Sequence, residues 1–184
     1  MDEETAQAPM GATGSVPRAI VVMGVAGCGK SAVGKALAAE EGAVFVEGDR
    51  LHPPENVARM ASGEPLTDQL REGWLDAIGE RIADLTGSGQ SVVAACSALK
   101  RSYRDRLRGF RRDIDFIYLK IDPATAKQRV ANRKGHFMPA SLVESQFAIL
   151  EPPGADERAL TADATLPVAE IVTAVASLLA GAKS

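Results

Sequence analysis

Gly24-Val25-Ala26-Gly27-Cys28-Gly29-Lys30-Ser31 is the stretch on which the reading of this chain turns. Its form is G-x-x-x-x-G-K-S, the spacing of a phosphate-binding loop. The apolar run Ala19-Ile20-Val21-Val22-Met23 precedes it. Val33 and Leu37, one helical turn apart, follow it. A strand before and a helix after is the context such a loop requires. The glycines let the backbone curl until successive N–H groups point inward at phosphate oxygens, and the helix starting near Lys30 adds its positive end. Gly24, Val25, Ala26, Gly27, Cys28 and Gly29 therefore supply a backbone cradle. Lys30 is placed to reach the β- and γ-phosphates, and the Ser31 hydroxyl to hold Mg2+.

Bulk properties narrow the classes. A length of 184 residues favours one domain. Residues 1–17, rich in Ala, Gly, Thr and Pro without a period, read as a mobile tail, which leaves 18–184 as the single domain. A formal net charge of −3 argues against bulk attraction to nucleic acid or an anionic membrane. The longest apolar stretches, near 19–26 and 171–180, fall short of the roughly 20 residues a membrane span needs. The Met-Asp-Glu-Glu start is acidic where a secretory signal is basic. The two cysteines, Cys28 and Cys96, suggest a reducing cytosol and no structural bridge.

Strands and helices alternate along the rest. Strands are expected at 18–25, 43–47, 91–96 and 115–121, with a short fifth at 162–166. Helices are expected at about 30–41, 54–61, from Thr67 or Asp68 to 87, from 99 through the arginine run, at 122–132, up to about 150, and at 167–180. Leu70, Trp74, Ile78, Ile82 and Leu85 recur at three and four as one apolar helical stripe. Six arginines between 101 and 112 read mostly as a solvated helix face. The alternation gives an α/β fold with a parallel sheet covered on both faces.

A phosphate loop indicates a nucleoside triphosphate without separating kinases from GTPases or motors. The short chain, the polar clusters after the second and third strands, and a basic segment late in the chain favour a small-molecule kinase. That segment, about 127–140 and including Arg133-Lys134-Gly135-His136, reads as a mobile lid. Arg129 and Arg133 are four apart, so a helix would present both over the nucleotide. Asp49, just past the second strand, is the candidate to accept or orient the acceptor's hydroxyl proton. His52 is either a structural turn histidine or a ligand. The third strand ends Ala94-Ala95-Cys96-Ser97, without the acidic residue that would usually help to hold a metal, so Mg2+ would rest on Ser31, phosphates and water.

Further segments carry a resemblance. Met23–Ser31, Gly48-Asp49-Arg50-Leu51-His52-Pro53, Ser62-Gly63-Glu64-Pro65-Leu66, Trp74-Leu75, Ala95-Cys96-Ser97-Ala98-Leu99-Lys100 and Arg133-Lys134-Gly135-His136-Phe137-Met138 resemble the bacterial-type gluconate kinases, small P-loop kinases related to shikimate kinase. Gln146-Phe147 and Leu150-Glu151-Pro152 continue the match. The resemblance implies a three-layer fold with a five-stranded parallel sheet in order 2-3-1-4-5, commonly a homodimer. It implies transfer of the ATP γ-phosphoryl group to the 6-hydroxyl of D-gluconate with Mg2+. With that substrate, catalysis is expected from Lys30, Asp49 and Arg133 and nucleotide contacts from residues 24–31 with Arg129 and Arg133, while Asp49, His52, Arg71, Ser97, Lys100, Arg104 and His136 suit gluconate's carboxylate and hydroxyls. The chain departs from the family pattern at Leu70, where an acidic residue is usual, and at Gly73, where proline is usual. Ala26 and Cys28 stand where serines are usual. A kinase for another polyol or a shikimate-like acceptor, and a non-catalytic nucleotide-binding module, are the competing readings.

Overall fold

The computed structural model describes residues 16–133 and 139–181. Most of the expected tail and the centre of the expected lid, including Lys134 and His136, lie outside the described residues.

Five strands form one parallel sheet. They are β1 (Ala19–Met23), β2 (Val44–Glu47), β3 (Val92–Ala95), β4 (Asp115–Lys120) and β5 (Ala159–Asp163), in the order β2-β3-β1-β4-β5. The helices are α1 (Lys30–Glu41), α2 (Pro54–Ala61), α3 (Asp68–Gly87), α4 (Arg101–Phe110), α5 (Pro123–Ala131), α6 (Ala140–Ile149) and α7 (Val168–Gly181). All five β1 residues are buried, as apolar cover on both faces of a central parallel strand demands. The expected sheet order holds.

β1 pairs with β3 on one side and β4 on the other. The chain leaves β1 toward β2 and later returns to the opposite flank, so a crevice opens at the carboxyl end of β1, where open α/β sheets bind ligands. The phosphate loop, Asp49 and Ser97 all follow carboxyl ends of strands at this edge.

Local chemistry sets the boundaries. Thr67 caps α3, its hydroxyl accepting from the Leu70 N–H at 3.3 Å. Asp122 caps α5 by accepting from the Thr125 N–H, with Pro123 in the first turn. Gly42 ends α1 in a left-handed conformation.

Two expectations need correction. The fifth strand is Ala159–Asp163, three residues earlier than read from the sequence. Its register against Phe116–Lys120 is closed off by a turn in which Asp163 accepts from both the Thr165 N–H and hydroxyl. Leu166, expected inside that strand, is 46% exposed. The buried face of α3 is also rotated from the expected stripe. Leu70 is 38% exposed, whereas Arg71 is 6% exposed and shares the buried face with Trp74, Leu75, Ile78, Ile82 and Leu85. Spacings of three and four admit either residue as the first of the stripe. Only the packed structure shows that a charged residue takes the buried place.

Candidate active site

The phosphate side is built mainly from backbone. Lys30 begins α1 and Gly29 precedes it in a left-handed conformation. Gly27, also at positive φ, has no room for a side chain, because a Cβ there would lie 2.6 Å from the Ala126 carbonyl oxygen of α5. Cys28 is buried, and burial pushes its thiol above the usual range, with Lys30 opposing. It is thus a packing residue within the loop. The Gly24 N–H donates to the Ser97 carbonyl, tying the first loop residue to the segment after β3. The Lys30 ammonium donates to the Val25 carbonyl at 3.1 Å, and the Ala26 N–H donates to Gln146 Oε1 of α6 at 2.7 Å.

The opposite side is built from side chains on three separate elements. After β2 the chain makes a single 3-10 turn, Gly48–Leu51. Gly48 permits that turn to press on β3, since a Cβ would meet the Ala95 carbonyl oxygen at 2.2 Å. The Trp74 indole N–H donates to the Gly48 carbonyl at 2.8 Å, and the His52 ring stacks on Trp74 at 4.1 Å between centroids. Trp74 thereby fixes both ends of the turn that presents Asp49, which is exposed. Partial burial lowers the His52 pKa to about 4, with Asp49 opposing and Arg71 assisting. The ring is neutral at pH 7. The Asn56 side-chain amide, donating to the Leu70 carbonyl at 2.9 Å, lies 3.4 Å from His52 Nδ1. With Asn56 as donor, Nδ1 accepts and Nε2 carries the proton.

Asp68, at the start of α3, accepts from Lys100 at 2.8 and 2.9 Å and from the Tyr103 hydroxyl. Those bonds, Lys100 first, hold its carboxyl below the usual range. Arg71 lies 5.7 Å from the Tyr103 ring centroid. Its Nε is buried and has no hydrogen-bond partner among the described residues. A buried guanidinium N–H without an acceptor is costly unless a ligand supplies one. Burial raises the Cys96 thiol to about 12, with Asp49 adding to the effect and Lys30 and Arg71 opposing it. All three charged groups therefore lie within Coulombic reach of one buried sulfur at the end of β3.

The structure removes Arg104 from this set. Its guanidinium is fully buried and bonded to both Glu157 carboxylate oxygens and to the carbonyls of Ala98, Leu99 and Glu151. With these bonds made, it braces the segment between β3 and α4 and has little left to offer a substrate. The solvated-face reading holds for Arg101 and Arg112, which are exposed, and fails for Arg104, while Arg106, Arg108 and Arg111 are half-buried. Arg101, Arg106, Arg108 and Arg111 also pair with carboxylates. Arg108 joins Arg104 on Glu157, whose pKa these bonds hold near 2. Arg129 and Arg133 do not share one helix, because α5 ends at Ala131 and Arg133 lies beyond it, exposed. Arg129 reaches the Ala164 carbonyl at 2.9 Å.

A family profile described as an AAA domain matches residues 20–153. The gluconokinase of Gluconobacter oxydans is 48% identical over 144 residues, covering 78% of this chain and 81% of that protein. The thermoresistant gluconokinase of Escherichia coli is 41% identical over 160 residues, covering 86% and 91%. The chain belongs to the gluconokinase family. The crystal structure of a gluconokinase from Sinorhizobium meliloti superposes with a TM-score of 0.77 at 49% identity, covering 86% of this chain and 89% of that one. The fold is thus the P-loop kinase fold of that family.

Several contacts of this gluconokinase-family site could not be read from the sequence, even where the residues themselves carried the resemblance. Asp68 and Tyr103 stand 35 residues apart and meet only because α3 and α4 pack together. Trp74 reads as core and is core, yet it also carries the Asp49 turn. Gln146 reaches the phosphate loop across 120 residues of sequence.

Proposed function

We propose that this chain transfers the γ-phosphoryl group of ATP to the 6-hydroxyl of D-gluconate, giving 6-phospho-D-gluconate and ADP. One observation carries the choice of acceptor: a buried arginine, Arg71, with an unpartnered Nε beside the Asp49 turn. A phosphate loop explains the nucleotide. A guanidinium awaiting an acceptor at the other side suits a small carboxylate with hydroxyls, as in an anionic polyol.

In this reading the loop amides and Lys30 hold the β- and γ-phosphates. Asp49 orients the acceptor hydroxyl and receives its proton as the oxygen bonds to the γ-phosphorus and the bond to ADP breaks. Neutral His52, with its Nε2–H, serves as a donor to a hydroxyl. Ser97 and Lys100, in the segment between β3 and α4, would add hydrogen bonds to the acceptor, with His136 as a further donor. Lys100 would exchange part of its bond with Asp68 for substrate. Arg129 and Arg133 offset phosphate charge. Mg2+ suits the Ser31 hydroxyl at the start of α1 together with phosphate oxygens and water. Among the described residues no cluster of three His, Cys, Asp or Glu offers a metal site by itself. When bound, Mg2+ supplies charge neutralisation at the phosphates.

The two buried, unbridged cysteines support a cytosolic setting, and the family resemblance supports a homodimer. No helix among the described residues is long and apolar enough to cross a membrane. A coupled ADP-release assay across gluconate, shikimate and neutral polyols tests the proposal. Turnover is expected with gluconate and not with shikimate. ATP binding without turnover on any sugar acid would favour a non-catalytic module.

A further inference from the structure

The peptide group joining Val25 to Ala26 is held at both ends. Its carbonyl oxygen accepts from the Lys30 ammonium at 3.1 Å. Its N–H donates to Gln146 Oε1 at 2.7 Å. Conjugation links the two ends of one peptide unit, and serial hydrogen bonds polarise one another. Among the described residues, Ala26 carries the one loop amide from 24 to 31 that donates to a side chain. Alanine at this position has no hydroxyl with which to brace the loop itself.

A rotated peptide would turn its N–H toward the place where Lys30 now finds an oxygen, and would repel the ammonium. The Gln146 acceptor opposes that rotation from the N–H end, as the Cys28 N–H, donating to the Val25 carbonyl at 3.3 Å, does from the other. We propose that Gln146 is a positioning residue for phosphoryl transfer. It fixes the orientation of the Val25–Ala26 peptide and so the point from which Lys30 reaches the transferring phosphate. The inference rests on Lys30 serving that phosphate, as in the function proposed above.

Gln146→Met removes the acceptor at nearly constant volume, and Gln146→Glu keeps it. Hydrogen exchange in 15N-alanine-labelled, nucleotide-free protein reads the bond directly. The Ala26 amide should be protected in the wild type and in Gln146→Glu, and exposed in Gln146→Met. In steady-state kinetics Gln146→Met should lower kcat by about 10- to 100-fold, with the gluconate KM within about twofold, as misplacement of a catalytic group predicts. Its Tm should stay within about 2 °C of the wild type, since the bond is a single one at the edge of the fold. Unchanged Ala26 exchange, unchanged kcat, or a joint fall in kcat, gluconate affinity and Tm would overturn the inference. Wild-type protein that fails to phosphorylate gluconate counts against the proposed function. Normal turnover in Gln146→Met beside an active wild type counts against this inference alone.

Discussion

The two sides of the crevice are made by different means. The phosphate side is one continuous stretch, 24–31, whose proposed contacts come chiefly from backbone N–H groups. The acceptor side gathers Asp49 and His52 after β2, Arg71 and Trp74 from α3, and the segment from Ser97 to Tyr103 after β3. The first asks little of the side chains at Ala26 and Cys28, though Gly24 and Gly27 have no room for one. The second depends on side chains meeting across the fold, so single substitutions there should alter which acceptor is used while leaving nucleotide binding intact.

Single substitutions test that contrast. Lys30→Ala removes the cationic side chain of the phosphate loop, and kcat should fall on the order of 10³-fold in the coupled assay. Arg104→Met tests whether bracing is separate from binding. It strands Glu157, 2% exposed, without its main partner, and should lower stability by about 3 kcal/mol in urea unfolding. Asp49→Asn should cut kcat by roughly 10²-fold while ADP affinity, measured by calorimetry, stays unchanged. Arg71→Met should raise the gluconate KM by about 10- to 100-fold. It should leave Tm unchanged or higher, because it removes a buried charge with an unsatisfied N–H.

The smallest effect concerns pH. His52 has a folded pKa of about 4, below its ordinary 6.5. Between those values the unfolded chain binds the extra proton, so stability is fully present above pH 6.5 and falls as pH drops toward 4. Allowing for the ring's partial exposure, the loss is on the order of 1 kcal/mol. His52→Gln should flatten that part of a Tm-against-pH curve.

Legibility followed the same division. The phosphate loop, the sheet and most helix limits are set by local rules of glycine, capping and apolar period, and these act within a few residues. The position of Asp49 past the end of β2 was legible because it follows a strand. Arg71 was named, yet its burial was not, since a stripe at spacings of three and four fits Leu70 equally well. Arg104 looked like a ligand for an anion because its partner, Glu157, lies 53 residues away. The 129/133 pair failed for a simpler reason: α5 stops at Ala131, and periodicity does not survive a helix end.

The central claim is that Arg71 reads the acceptor's carboxylate. Its most direct test is the ratio of kcat/KM for gluconate to that for sorbitol, the corresponding neutral hexitol, in the wild type and in Arg71→Met. A large wild-type preference for gluconate that collapses in Arg71→Met is the predicted result. Full retention of that preference in a folded, ATP-binding Arg71→Met protein would contradict it.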